Sequence, residues 1–83
     1  MLEYKFDTQL LIEGRALSED AIIEYITEHI QGDSLLVVGD EELIKIHFHT
    51  NEPWEVLMYC ASQGDIYDVV VENMERQQKG LQG

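Results

Sequence analysis

The stretch SLLVVGDEELIKIHFHT, Ser34 to Thr50, decides the fold. SLLVV is a short, nearly continuous apolar run, GDEE (Gly39 to Glu42) is a compact turn, and LIKIHFHT brings the chain back, so the segment is predicted to be a β-hairpin. In an extended returning arm the side chains alternate between faces. Ile44, Ile46 and Phe48 then share one side, while Lys45, His47 and His49 share the other. An apolar face of this kind belongs to a core, which leaves two imidazoles on the opposite side of the sheet.

Outward from the hairpin, EYKFDTQLLIEG alternates well enough to be a strand, with Tyr4, Phe6, Thr8, Leu10 and Ile12 on one face and Lys5, Asp7, Gln9, Leu11 and Glu13 on the other. LSEDAIIEYITEHIQGD follows as a helix. Ser18 is its expected N-cap, Glu19 and Asp20 sit in the first turn, Ile22, Tyr25, Ile26, His29 and Ile30 have helical spacing, and Gly32 is the expected stop. After the hairpin, Thr50 or Asn51 is expected to cap a second helix with Pro53 in its first turn, Val56, Leu57, Cys60 and Ala61 on its inner stripe, and Gly64 at its end. DIYDVVVENM supplies a last strand with β-branched residues at its centre.

The order β-α-β-β-α-β is an α+β arrangement, the split βαβ pattern of ferredoxin-like domains. Right-handed crossovers place both helices on one face of an antiparallel four-stranded sheet and leave the other face uncovered. One domain over residues 1–76 is expected, with 77–83 as a tail or the start of a linker. In this topology the first and third strands are antiparallel neighbours. The start of one lies beside the end of the other.

The chain has 83 residues, and a domain of this size buries only roughly 60–65% of its unfolded surface, so a metal or a second copy of the chain would add needed stability. Seventeen acidic residues against five basic ones give a net charge of −12, which repels nucleic acid and anionic membrane surfaces. No apolar run approaches the ~20 residues of a membrane span, no secretory signal opens the chain, and Cys60 is the single cysteine, so a cytoplasmic location without membrane insertion is expected. VVGDEE lacks the glycines and lysine of a phosphate-binding loop.

Topology and face together bring Asp7 towards His47 and His49. Two imidazoles at i, i+2 with a carboxylate from the adjacent strand supply the nitrogen and oxygen donors that zinc accepts. A His-x-His strand pair is by itself more often an exposed or a partly buried hydrogen-bonding pair than a ligand set, and spacing alone leaves both readings open. A fourth ligand would be water, a last-strand residue such as Glu72, or a group from another chain. His29 stands alone near a helix C-terminus, where the helix dipole accounts for it. Cys60 falls on a core-facing stripe, and Trp54, Met58 and Tyr59 are expected to form an exposed apolar patch on the second helix.

YKFDTQLLIEG, GDSLLVVGDEELIKIHFHTNEPWEVL and GDIYDVVVENMERQ resemble the middle domain of bacterial fatty acid kinase A-type proteins, which carry a dihydroxyacetone-kinase-like domain at the N-terminus. The resemblance runs from Tyr4 to Gln77 and is most specific in KIHFHTNEP and VENM. It implies a parent whose N-terminal domain binds ATP and Mg2+, whose C-terminal domain engages a fatty-acid-binding protein, and which phosphorylates the acyl carboxylate. For the middle domain it implies dimerisation and a zinc-like site, with His47 and His49 at the positions of the family's histidine ligands. The usual first-strand pattern Tyr-Cys-Thr-Glu-Phe is here Phe6-Asp7-Thr8-Gln9-Leu10, so the expected cysteine ligand is Asp7, a harder oxygen donor suited also to other divalent ions. The expected function is a non-catalytic metal-binding and homodimerisation module of a longer polypeptide, with Met1 added to the fragment. The alternatives are a small metal-dependent hydrolase and a ligand-sensing module.

Overall fold

The returning arm of the hairpin forms β3 (Leu43–Thr50) in a computed structural model that describes residues 2–83. It pairs antiparallel with β2 (Gly32–Gly39) on one side and β1 (Phe6–Glu13) on the other, and β1 pairs antiparallel with β4 (Asp65–Asn73). The strand order is β2-β3-β1-β4. Helices α1 (Glu19–His29) and α2 (Pro53–Gln63) cover one face, which is the expected ferredoxin-like arrangement. A short α3 (Met74–Gln78), capped by the Asn73 side chain, follows β4, so Met74 leaves the strand to which the sequence pattern assigns it.

The core lies between helices and sheet. Ile22 and Ile26 of α1 and Val56 and Cys60 of α2 pack with Leu10, Ile12, Val37, Ile44, Ile46 and Phe48 of the strands. Burial pushes the Cys60 thiol up to about 12, which keeps it protonated and inert as a nucleophile. Tyr25 and His29, expected on the inner stripe of α1, are exposed. Within α1 only Ile22 and Ile26 are buried, and Ile23 is exposed with Tyr25, because the inward stripe of this helix is one residue wide at each turn. Ala61 is likewise exposed on α2, whereas Tyr59 is half-buried against the core, its ring stacked on that of Tyr25 at 3.8 Å. The large apolar side chains that α2 exposes are therefore Trp54 and Met58, without Tyr59.

Two helix ends differ from expectation. α1 stops with Ile30, already extended, as its C-cap, and Gly32 instead opens β2. A Cβ at residue 32 would overlap the Phe48 ring and the His49 carbonyl, so this glycine serves close strand approach and not helix termination. α2 has Glu52 as N-cap with no side-chain cap, and Pro53 occupies N1. Thr50 stays in β3, and Asn51 ties down the segment before β1 by accepting from the Lys5 amide at 2.9 Å and donating to the Glu3 carbonyl at 3.0 Å. The hairpin turn is held by Asp40, whose Oδ1 accepts from the Glu42 and Leu43 amides. Those bonds, Glu42's first, lower the pKa of its carboxyl below the ordinary value.

Thr8 and Thr50 are both fully buried, with opposite polar accounting. The Thr50 hydroxyl donates to the Gln31 carbonyl at 2.8 Å and accepts from the Glu52 amide at 3.1 Å, whereas the Thr8 hydroxyl has no partner among the described residues. An isosteric Val removes the hydroxyl without opening a cavity, so the sign of the effect should follow the hydrogen bonds. Thr8→Val is expected to stabilise by about 1 kcal/mol and Thr50→Val to destabilise by about 2 kcal/mol. Urea midpoints of the two variants check this, and a shift of the same sign in both would contradict it.

Candidate metal centre

The uncovered face of the sheet is organised in rows across the strands. At one end Asp33 of β2, His49 of β3, Asp7 of β1 and Glu72 of β4 are successive register partners, and the next row is Leu36, His47, Gln9 and Val70. Each pairing follows from period-two alternation: once Ile46 and Phe48 turn under the helices, both histidines must turn out. Phe6 to Thr8 does the same for Asp7.

The structure therefore brings all three sequence-predicted residues together. His47 Nδ1 lies 3.5 Å and His49 Nε2 3.9 Å from Asp7 Oδ1, and the two Nε2 atoms approach to 3.1 Å. One donor atom from each residue falls within 4.8 Å of the others. The Asp7 carboxylate is 18% exposed, and the imidazoles 28% and 25%, so water only partly screens the cluster. Asp7 Oδ2 accepts from Gln9 Nε2 at 3.4 Å, while Oδ1 is buried with no hydrogen-bond partner among the described residues.

These residues fit a divalent ion. A buried carboxylate oxygen without a donor is costly unless a cation or proton meets it. Two nitrogens bound to one tetrahedral zinc at roughly 2.0–2.1 Å stand about 3.3 Å apart, close to the observed spacing of the Nε2 pair. Asp7, His47 and His49 would hold the ion. Glu72 is the register partner of Asp7, but its Oε2 accepts from Gln77 Nε2 at 3.1 Å.

One polar neighbour is not legible in the sequence as a site residue. Asp33 Oδ1 lies 3.5 Å from His49 Nδ1. The sequence pattern puts Asp33 at the tail of the helix, because β2 is expected to start at Ser34. The signal for it is the glycine at 32, which allows the strand to begin earlier. On the same face Leu36, Val38 and Val70 are exposed alongside Lys45, and Leu11, expected to be exposed, is half-buried.

A family model for the middle domain of fatty acid kinase A-like (FakA-like) proteins matches residues 3–81. The chain belongs to this family. A protein of Staphylococcus haemolyticus described as uncharacterized is 33% identical over 82 residues, covering 94% of this chain and 14% of the relative. Protein YloV of Bacillus subtilis is 32% identical over 84 residues, covering 96% of this chain and 15% of that protein. An uncharacterized protein of Staphylococcus aureus is 46% identical over a shorter stretch of 48 residues, which is 58% of this chain and 9% of the relative. The middle domain thus spans about one seventh of the length of the first two relatives. Among the described residues no helix is long and apolar enough to cross a membrane.

Proposed function

We propose that this middle domain is a non-catalytic, metal-braced interaction module of a fatty-acid-kinase-like polypeptide, and that it pairs with a second copy of itself through the uncovered sheet face. The observation that carries the metal part is Asp7 Oδ1, buried and without a donor, facing two imidazoles of the adjacent strand. Zinc or another divalent ion held there by Asp7, His47 and His49 would neutralise the carboxylate and tie β1 to β3.

Pairing is supported by exposed apolar side chains that share this face with the polar row. Leu36, Val38, Leu43, Tyr67 and Val70 are all exposed on strands whose opposite face is core, and exposed apolar surface bordered by polar groups suits a modest protein interface. For the parent polypeptide, ATP and Mg2+ binding, phosphorylation of a fatty acid carboxylate and engagement of a fatty-acid-binding protein are assigned to domains flanking this one. Hydrolysis by the cluster itself is not favoured. Water activation needs a concave pocket; the concavity lined by Glu13, Gly14, Arg15, Glu42 and Leu43 lies at the opposite end of β1 and β3, and the one lined by Gln9, Leu10, Leu11, Lys45, Asp68 and Val70 lies beside the cluster, not around it.

Elemental analysis of protein purified without an affinity tag, combined with light scattering at micromolar concentration, tests both parts. The expected result is one divalent ion per chain, lost in His47→Ala, and the mass of a dimer. Metal-free protein with a monomer mass would dispose of the proposal.

A further inference from the structure

Building on the metal reading above, we infer that Asp33 is a positioning residue for His49: it takes the Nδ1–H of that ring and thereby presents Nε2 to the ion. His49 lies between two carboxylates, with Asp33 its register partner on β2 and Asp7 its register partner on β1. The ring's two nitrogens divide between them. Nδ1 faces Asp33 Oδ1 at 3.5 Å, while Nε2 faces Asp7 Oδ1 and stands 3.1 Å from His47 Nε2.

The two carboxylates are not equivalent. Asp7 is mostly buried and has an oxygen with no donor, as a ligand would, whereas the Asp33 side chain is 58% exposed and touches only the far nitrogen. A neutral imidazole carries one N–H, and an ionised carboxylate only accepts, so Asp33 beside Nδ1 selects the tautomer whose Nε2 lone pair is free. Histidines that hold metals commonly donate their other nitrogen to such a carboxylate, which fixes both tautomer and ring angle. The backbone prepares this. Gly32 lets β2 close on β3 at His49, and Ser34, with φ of 57°, opens a bulge immediately after Asp33. At 3.5 Å the contact is longer than a formed hydrogen bond, but the carboxylate charge beside Nδ1 still favours the proton there in the metal-free protein.

Two readouts on Asp33→Ala and Asp33→Asn test the inference. In metal-free protein at about pH 8.5, above the ordinary imidazole range, ring nitrogen–proton NMR correlations report the His49 tautomer. Competition with a chromophoric chelator reports the zinc dissociation constant. Wild type is expected to hold the Nδ1–H form. Asp33→Ala is expected to lose that preference and to bind zinc roughly tenfold more weakly, at the low end for such partners because the carboxylate is half in water. Asp33→Asn, whose amide oxygen still accepts, is expected to restore the tautomer and most of the affinity. If Asp33→Ala matches wild type in tautomer and affinity while His47→Ala loses zinc, the role of Asp33 is overturned and the metal reading survives. A wild type that takes up no zinc overturns both.

Discussion

Zinc supplied at about a hundredfold above its dissociation constant should raise the unfolding midpoint of the wild-type domain by roughly 10–20 °C, and should leave His47→Ala within about 2 °C of its metal-free value. The size follows from mass action. A ligand that binds only the native state at that concentration adds about 2.7 kcal/mol, and each kcal/mol moves the midpoint of a domain this small by about 4–8 °C. Selective binding to the native state would follow from the fold. Asp7 and His47 are distant in sequence and meet only when β1 and β3 pair, so an unfolded chain offers the ion just the local His47-Phe48-His49 segment. Because ligation needs bare imidazole nitrogens, the shift should shrink as the solution is made acidic. A differential scan with and without zinc checks the prediction, and equal shifts in wild type and His47→Ala would remove His47 from the site.

That site is largely legible in the sequence because it depends on alternation and topology, which are coarse properties. Ile44, Ile46 and Phe48 can only face a core, so His47 and His49 can only face away, and one pairing of antiparallel strands then delivers Asp7. What stays hidden is set by single-residue backbone geometry. SLLVV gives no phase of its own, since both faces are equally apolar. The phase of β2 comes from the bulge at Ser34, where the three steps from Asp33 to Leu36 match the two from His49 to His47 on β3. The extra residue keeps Leu35 and Val37 against the core while turning Leu36 and Val38 out beside the histidines. Asp68, at φ of 50°, marks a similar irregularity in β4 between the partners of Gln9 and Leu11. Neither serine nor aspartate announces a left-handed conformation as glycine does. The ends of the helices are hidden for a related reason. Gly32, Thr50 and Asn51 all have the chemistry of caps, but each is held by a tertiary contact that competes with capping: the Phe48 ring, the Gln31 carbonyl and the segment before β1.

Ile46→Ala tests whether the two faces of β3 act independently. Ile46 is fully buried in an interior strand, paired with Leu10 on β1 and Val37 on β2, and its truncation should cost about 2–5 kcal/mol through lost transfer energy and the cavity left behind. Against a total stability of about 5–15 kcal/mol, that loss should lower the metal-free midpoint by at least about 8 °C. His47 follows directly in sequence, yet its side chain stands on the opposite side of the sheet. If the cavity is absorbed on the helix side, zinc should still add to Ile46→Ala what it adds to wild type, within about 0.5 kcal/mol, and should recover much of the lost midpoint. The double variant Ile46→Ala/His47→Ala should unfold near the metal-free Ile46→Ala and gain nothing from zinc. A zinc increment that collapses in Ile46→Ala alone would mean that the strand backbone shifts when its inner side chain is cut, so that core packing, and not alternation by itself, sets the spacing of the histidine nitrogens.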